Sequence, residues 1–471
     1  MTSPIDRLVQ QAETAEREGR GDEARAWYER ALFSLKRKDD ARLIASLMRA
    51  IARTYANDDE QDAAFDCLEF SRTVGALSNN TAEVAHSLGE QASLIQQSGD
   101  FDRAEALHLE ARSHALDAGE TRLAGVAAKN LGVIAATRGD HEKALRYHRT
   151  SLAEFRTLGA PKEVLSALSD MGVLCTELER WDDAARAFDE AAQIADALGD
   201  IPARVNLDVS RAELEIARGD FRAARTACEV AMSLSAQTVD GVARGEIERQ
   251  LGRIARELGE FAAAEEHLSH AEQIALDRAD TLLEAETSWE RAELHRAQGR
   301  YRDALIHFSR GHRLFATLSG TSGSSGGGSA EIDRLQSRLE RQFVETAREW
   351  MSSIESKDRY AQGNAERVAD LVCALALRAG VEARELFWLR MGATLHDVGK
   401  LVIPSEILNK PGKLAPNEWE LVKRHPVAGA EMLAEMNFPP AIIPMVRSHH
   451  ERWDGQGYPD GLAEQDIPRS A

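Results

Sequence analysis

Across the first two thirds of the chain, apolar residues recur at helical spacing, and the helices that they predict come in pairs. In the segment VLSALSDMGVLCTELERWDDAARAFDEAAQI, leucine, isoleucine and alanine return every three or four positions. This spacing gives each helix one apolar face. A glycine or a polar residue separates the two helices of a pair. The pattern therefore predicts a succession of helical hairpins.

The hairpins repeat with a period of 40 residues. Alanine occupies one column without a slip: Ala24, Ala64, Ala104, Ala144, Ala184, Ala224, Ala264 and Ala304. A second column is small throughout: Ala12, Ala52, Ala92, Gly132, Gly172, Ala212, Gly252 and Ala292. The turn column is Gly19, Asp59, Gly99, Gly139, Glu179, Gly219, Gly259 and Gly299. Because no single hairpin can bury its apolar face alone, eight hairpins over residues 5–318 are predicted to stack on one another.

Composition narrows the classes of partner. The chain has 471 residues and a formal net charge of -20, which argues against general nucleic-acid binding and against docking on an anionic membrane surface. We find no run of about 18 apolar residues and no apolar segment typical of a secretory signal. Four cysteines lie far apart, as expected of buried thiols in a reducing compartment. We therefore predict a cytoplasmic protein without a nucleic-acid or membrane partner.

The segment SGTSGSSGGGSAE at residues 319–331 predicts a flexible linker that separates the repeats from the rest of the chain. A helix over residues 332–354 should follow it. Apolar positions on this helix fit a heptad seam: Ile332, Leu335, Leu339, Val344, Ala347, Met351 and Ile354. The seam suits a short dimerising helix, and hence a homodimer. A single amphipathic helix packed on its own domain suits it equally well.

The C-terminal part carries histidines in three separate segments. They lie in MGATLHDVGKLVIP, in KRHPVAG and in SHHERWDGQGYPDG, and they are His396, His425, His449 and His450. The last segment taken alone fits a surface turn with incidental histidines. Together with Asp397, however, the imidazoles form a donor set that suits iron, manganese or zinc better than magnesium or calcium. Histidines satisfied within the core are the alternative. Lys400 could offset the charge of a phosphate.

The repeats resemble the tetratricopeptide repeat. In LGVIAATRGDHEKAL, Gly132, Gly139 and Ala144 fall where that motif has its two glycines and its alanine. The usual period of that repeat is about 34 residues, so longer helices are expected here. The resemblance implies a superhelix of helical hairpins whose concave face binds a protein or peptide partner. A purely structural scaffold is the alternative.

The strings LHDVGK, ILNKPGKL, HP and HHERWDGQGYP follow one another over residues 355–471. In this order they resemble the HD-GYP family of HD phosphohydrolases. The resemblance implies an all-helical bundle with two or three metal ions, usually iron or manganese, that hydrolyses cyclic di-GMP to pGpG or GMP. By position it implies these metal ligands: His396, Asp397, His425, His449 and His450. It also implies that Asp397 and Lys400 serve catalysis, Lys400 on the scissile phosphate, and that Gly457, Tyr458 and Pro459 shape the substrate mouth.

The chain departs from the family pattern at several points. Asn364 stands where the first metal-binding histidine is usual, and Tyr360 stands where some members have a glutamate for a third metal. The family continues into helices with a further aspartate ligand, whereas this sequence stops at Ala471. We therefore expect one tightly bound metal and two at most. The first hypothesis is a repeat-regulated phosphodiesterase. The second is a degenerate, non-catalytic module that binds a nucleotide or a protein.

Overall fold

The computed structural model describes residues 4–35, 41–58, 60–237, 242–321, 326–356, 364–381 and 383–471. Helices dominate these residues, and none of them belongs to a β-strand. One isolated antiparallel bridge joins Asp454 to Ala463. The predicted all-α fold, with tetratricopeptide-like helical hairpins followed by a helical C-terminal domain, is confirmed.

Sixteen helices make the eight predicted hairpins. In chain order they are α1 (Pro4–Arg17), α2 (Gly21–Phe33), α3 (Ala41–Asn57), α4 (Gln61–Leu77), α5 (Thr81–Gln97), α6 (Phe101–Asp117), α7 (Thr121–Thr137), α8 (His141–Leu158), α9 (Pro161–Glu177), α10 (Trp181–Leu198), α11 (Ile201–Arg218), α12 (Phe221–Ser235), α13 (Val242–Glu257), α14 (Phe261–Arg278), α15 (Thr281–Ala297) and α16 (Tyr301–Thr321). Each odd-numbered helix pairs with the even-numbered helix that follows it.

The small-residue columns explain how closely the paired helices approach. All eight alanines of the first column are completely buried. In the second column, a Cβ added to Gly132 would lie 2.8 Å from the His148 ring, and one added to Gly172 would lie 2.4 Å from the Phe188 ring. His148 and Phe188 belong to a further column of buried side chains with the same period: Tyr28, Leu68, His108, His148, Phe188, Cys228, Leu268 and Phe308. Small residues on one helix therefore make room for this column on the other.

The turns between paired helices use the left-handed backbone conformation, as the glycine column predicts. Gly139 has φ 79° and Glu179 has φ 55°, whereas Asp59 lies outside the described residues. A second left-handed column joins one hairpin to the next. It also has a period of 40 and comprises Asn79, Gly119, Gly159, Gly199 and Ala279. The sequence analysis did not single out this second column.

The chain divides into two compact units, and the division differs from the predicted one. The first unit comprises Met1–Ala243 with Thr321–Glu331, and the second comprises Arg244–Gly320 with Ile332–Ala471. The last two hairpins therefore cluster with the C-terminal part instead of with the other six. The physical reason is a shared apolar core within the second unit, described below.

Helices extend into both ends of the predicted linker at residues 319–331, so the segment outside helices is shorter than predicted. Residues 322–325 lie outside the described residues, α16 continues to Thr321, and the next helix, α17, spans Gly326–Glu355. The described seam residues of α17 are buried or pack against the core of the second unit; they are Leu335, Leu339, Val344, Ala347, Met351 and Ile354. The seam residues thus pack against other residues of the same chain, which favours the packed-helix alternative over the dimerising helix.

The C-terminal domain continues with six shorter helices. They are α18 (Asn364–Arg378), α19 (Ala383–Leu395), α20 (Ser405–Leu408), α21 (Pro416–Val422), α22 (His425–Glu435) and α23 (Ile442–Ser448). A 3₁₀ turn spans Val398–Val402. No helix within the described ranges is long and apolar enough to cross a bilayer. The cytoplasmic location stays a prediction.

One apolar core joins the last hairpin, α17 and the C-terminal helices. Phe343 on α17 is completely buried, with its ring centroid 5.7 Å from that of Phe308 on α16 and 5.7 Å from that of Phe438, which follows α22. Arg313 on α16 also donates a hydrogen bond of 2.7 Å to the carbonyl oxygen of Asn437. The last hairpin is therefore packed into the C-terminal domain.

Polar contacts tie α15 and α16 to α17 around this core. The guanidinium of Arg296 donates to both carboxylate oxygens of Glu349, at 2.7 and 3.1 Å. The indole N–H of Trp289 donates to the side chain of Gln342. A bidentate arginine–carboxylate pair fixes orientation as well as distance. The register of α17 against the last hairpin is therefore well defined.

Candidate metal centre

Three helices bring the predicted ligands to one place. His396 and Asp397 follow the last residue of α19, His425 is the first residue of α22, and His449 and His450 follow the last residue of α23. Each helix buries apolar residues in the core shared with the last hairpin, including Leu395, Leu433 and Val446. The ligands thus stand at helix ends, where a side chain can leave the core without breaking helical packing.

Gly399 lets two of these segments meet. A Cβ at this position would lie 1.9 Å from the carbonyl oxygen of His425 and 2.6 Å from the backbone nitrogen of Gly429. No side chain fits that space. The 3₁₀ turn after Asp397 therefore lies directly against the first turn of α22, and Asp397 is held beside His425.

Asp397, His425, His449 and His450 converge, with one potential ligand atom of each lying within 4.8 Å of those of the others. The Nε2 atoms of His425 and His449 are 3.2 and 3.8 Å from Oδ1 of Asp397, and they are 3.2 Å from each other. Asp397 and His425 are buried, and the other two histidines are half-buried. Three imidazoles and a carboxylate at this spacing form a donor set for a transition metal.

Backbone carbonyls orient the imidazoles. Nδ1 of His425 lies 2.7 Å from the carbonyl oxygen of Val422, and Nδ1 of His449 lies 2.8 Å from that of Val446. A carbonyl oxygen only accepts, so each Nδ1 carries a proton and each Nε2 faces the site, where it becomes available to a metal once it is deprotonated. Such carbonyl partners fix the tautomer of metal-binding histidines. The residues present therefore fit a bound metal.

The surroundings of the site keep Asp397 ionised and lower the pKa of His449 and His450. Burial opposes ionisation of Asp397, but hydrogen bonds with His396, His425 and His449 outweigh it and hold its pKa far below the usual range. Burial lowers the pKa of His449, and it lowers the pKa of His450 to about 4. A metal needs deprotonated ligands, and the lowered pKa values of Asp397, His449 and His450 favour that state.

His396 and Lys400 lie on the other carboxylate oxygen. Nε2 of His396 is 3.3 Å from Oδ2 of Asp397, and Nζ of Lys400 is 2.9 Å from the same atom. Nδ1 of His396 lies 2.7 Å from the carbonyl oxygen of Ala393, so its Nε2 also faces the site. His396 stands outside the converging group of four. Asp397 therefore has His425 and His449 on one oxygen and His396 with Lys400 on the other.

The glycine-rich segment after His450 folds back over the site. The Tyr458 ring stacks on the His450 ring, with centroids 4.7 Å apart and planes 21° apart. Gly457 lies against backbone, because a Cβ there would be 2.5 Å from the nitrogen of Arg452 and from Cα of Glu451. Pro459 follows Tyr458 in the same loop through a cis peptide bond. The structure thus places Tyr458 directly on a predicted metal ligand.

Glu451 ties this loop down. Its Oε1 accepts the backbone N–H groups of Asp460 and Gly461 at 2.7 and 3.0 Å, and its Oε2 accepts that of Leu462 at 3.0 Å. The Asp460 carboxylate in turn pairs with both guanidinium nitrogens of Arg447, at 2.7 and 2.8 Å. One side chain adjacent to the two histidines therefore fixes the end of the loop.

Replacing Glu451 by alanine should free the loop. Three backbone N–H groups lose their acceptor, so we expect the amides of Asp460, Gly461 and Leu462 to exchange with solvent at least about ten times faster, equal to about 1.4 kcal/mol of local stability. Hydrogen exchange followed by mass spectrometry measures this. Glu451→Gln keeps one acceptor oxygen and should show a smaller increase. Equal exchange in all three proteins would contradict the role given to Glu451.

Two positions depart from the family pattern. Asn364 is the first residue of α18, which packs against α19, the helix that leads to His396. Tyr360 lies outside the described residues. The sequence analysis missed Glu451, Arg447 and Asp460. Their only signal was nearness in sequence to the paired histidines, which does not reveal that the loop folds back.

Comparison with known proteins places these features in families. Residues 350–471 match the model of the HD domain, and residues 8–30, 83–157 and 124–197 match models of the tetratricopeptide repeat. The chain carries tetratricopeptide repeats and an HD domain. The HD match contains every residue of the metal cluster, and the repeat matches coincide with the hairpins of the first unit.

Relatives of the HD domain are phosphodiesterases. The chain is 37% identical over 135 residues to the cyclic di-GMP phosphodiesterase response regulator RpfG of Xanthomonas campestris, which spans 28% of this chain and 36% of that protein. It is 36% identical over 114 residues to 3'3'-cGAMP-specific phosphodiesterase 3 of Vibrio cholerae, or 24% of this chain and 25% of that protein. The similarity is thus confined to about a third or less of each relative.

A solved structure resembles the repeats more loosely. The Rap protein complexed with competence and sporulation factor aligns with 73% of this chain and 99% of that chain. The sequence identity is 12% and the TM-score is 0.43.

Proposed function

We propose that the HD domain is a metal-dependent phosphohydrolase that acts on cyclic di-GMP in bacterial second-messenger signalling and is regulated by the repeats. The observation that carries this proposal is the convergence of Asp397, His425, His449 and His450. The similarity of the HD domain to cyclic dinucleotide phosphodiesterases supports the substrate class.

Asp397, His425, His449 and His450 would hold the metal, for which iron or manganese is proposed. His396 would join Asp397 at a second, weaker position. A metal of this kind, when bound, polarises a phosphoryl oxygen and lowers the pKa of water. The proposed stoichiometry is one tightly bound ion per chain, because four of the five predicted ligands converge at one place and only His396 stands outside that group.

The chain's own residues bind and orient the phosphate. Asp397 is held ionised and is fixed by His396, His425 and Lys400 on its two oxygens. The Lys400 ammonium is 2.9 Å from this carboxylate, within reach of a phosphate oxygen beside it, and would neutralise charge that develops there. Gly457, Tyr458 and Pro459 border the site on the His450 side. They would limit where the nucleotide lies and exclude water from that face.

The direct test is a product assay on the full chain loaded with manganese or iron. Cyclic di-GMP is incubated with the protein, and chromatography follows pGpG and GMP. We expect slow but metal-dependent hydrolysis that a chelator abolishes. No product from cyclic di-GMP or from 3'3'-cGAMP, in a chain that retains its metal, would reject the enzymatic proposal.

A second candidate function is a binding module that holds the nucleotide, or a protein, without turnover. The observation that favours it is Asn364, because an amide oxygen is a weaker donor to a transition metal than an imidazole. A nucleotide that binds to the metal-loaded chain and is recovered unchanged would support this candidate over the enzyme.

The substitution Asn364→His tests whether the asparagine lowers metal binding and turnover. A histidine at the start of α18 would add a donor next to the helix that precedes His396, so we expect bound manganese to rise above one ion per chain and turnover to increase. Elemental analysis of the purified protein measures the first effect. Asn364→Ala is the matched control and should stay at one ion. An unchanged stoichiometry in Asn364→His would show that this position is not a ligand position.

The repeats are proposed to bind a protein or peptide partner on their concave face. The shared core supports regulation through the last hairpin, because Phe308 and Phe315 are buried in the same core as Leu395 and Val446, which precede predicted ligands. A partner that shifts the last hairpin would therefore disturb helices that position the site.

A further inference from the structure

The helix α21 presents apolar residues to solvent without a packing role. None of its seven residues is buried. The side chains of two large apolar residues are among them: Trp419 is 44% exposed and Leu421 is 37% exposed. Large aromatic residues are costly to leave in water and usually contribute to a core or an interface. Since α21 contributes no buried residue to a core, the indole at its centre requires another explanation.

Trp419 lies beside the metal site through an aromatic series. Its ring meets the edge of Tyr458, with centroids 6.1 Å apart and planes 75° apart. Tyr458 stacks on His450 at 4.7 Å, and His450 belongs to the converging group of four. The indole is thus within about 11 Å of an imidazole of the proposed metal centre. The indole therefore borders the same site as the imidazole of His450.

The backbone holds the indole in place. Glu418 accepts the backbone N–H of Ala415 at 2.7 Å and pairs with the ammonium of Lys410 at 2.6 Å, which fixes the first turn of α21. The backbone N–H of Trp419 donates to the carbonyl oxygen of Ala415 at 2.9 Å. Among the described side chains, Tyr458 is the only ring that contacts the indole. The indole thus extends from a well-anchored helical turn, lies against Tyr458 and stays 44% exposed to a ligand.

We propose that Trp419 is the stacking platform for a purine base of the cyclic dinucleotide, and that it makes the site select purine over pyrimidine dinucleotides. This inference rests on the proposed function. Stacking on an aromatic side chain is favourable for every base, and the larger ring system of a purine covers more of an indole. When one phosphate of the cyclic dinucleotide lies at Lys400 and the metal ligands, one of its bases would extend to the indole on α21.

The test uses the full chain loaded with manganese and two substitutions of similar bulk. Trp419→Phe keeps an aromatic face, whereas Trp419→Leu keeps only apolar volume. Calorimetric titration gives Kd for cyclic di-GMP and for cyclic di-UMP, and KM is measured where turnover allows. We expect the Leu variant to bind cyclic di-GMP about tenfold or more weakly and the Phe variant about two- to threefold more weakly. The preference for cyclic di-GMP over cyclic di-UMP should disappear in the Leu variant.

Trp27 supplies the matched control, because it is a half-buried tryptophan on α2, outside the HD domain. Trp27→Leu should leave both dissociation constants unchanged, and metal content should be equal in every variant. Equal affinity of the intact chain and the Leu variant for cyclic di-GMP would overturn the platform and leave the proposed function standing. If the metal-loaded intact chain binds neither cyclic dinucleotide, the proposed substrate and the platform are both wrong.

Discussion

Replacing His425 by alanine should remove the tightly bound metal. His425 is buried, and its Nε2 is 3.2 Å from both Asp397 and His449, so it stands at the centre of the ligand set. We expect manganese to fall from about one ion per chain to less than about a tenth. Any hydrolysis should fall by more than about 100-fold, since losing even an outer-sphere partner of a metal ligand typically costs 10- to 100-fold. Elemental analysis and the nucleotide product assay measure the two effects.

The control for this variant is His267→Ala. His267 lies on α14, where its Nδ1 is 2.8 Å from Glu248, well away from the ligand segments. Its replacement should leave metal content and activity unchanged. Circular dichroism should show that both variants keep their helices. A His425→Ala protein that retains a full equivalent of metal would refute the four-ligand site.

Replacing Phe343 by alanine should cost the second unit about 3–5 kcal/mol of unfolding free energy, as is usual for a phenylalanine in a core. The ring is completely buried and packs against Phe308, Trp388 and Phe438, which come from α16, α19 and the end of α22. Because these elements share one core, the last hairpin and the metal-binding domain should unfold together at lower denaturant. Helical circular dichroism and metal release report on that transition.

Phe33→Ala is the corresponding surface control. Phe33 is 84% exposed at the end of α2, so its replacement should change the unfolding free energy by less than about 0.5 kcal/mol. If Phe343→Ala lowered the stability of the last hairpin but left metal release at its original denaturant concentration, the two parts would not form one cooperative unit.

The repeats could be predicted almost completely, because the same small and turn residues return at the same positions eight times. The candidate site could be predicted from the sequence for a different reason. Histidines in three separate segments, two of them adjacent, together with one aspartate carry chemistry that few other arrangements explain. Both signals are local in sequence, because each residue type is suited to one structural role. Gly132 allows a close approach of two helices, Gly139 allows a left-handed turn, and His425 offers a metal ligand.

The contact between the last hairpin and the HD domain could not be predicted in this way. It joins residues on both sides of the Gly/Ser segment, whose composition indicates only flexibility. One signal was present and overlooked. Trp289 is the one large aromatic residue in its period-40 column, whose other members include Arg49, Lys129 and Val209. That tryptophan is 7% exposed and donates to Gln342 of α17, so the large side chain stands where α17 covers the last hairpin.

The buried last hairpin also bears on how the array ends. A stack of repeats needs a terminal element with a polar outer face, since otherwise the final apolar surface would meet water and promote aggregation. Here α17 and the HD domain cover Phe308 and Phe315, so the metal-binding domain itself is the cap of the solenoid. Gain or loss of whole 40-residue repeats by gene duplication should therefore be tolerated nearer the N-terminus. The eighth repeat must be inherited together with the domain that it supports.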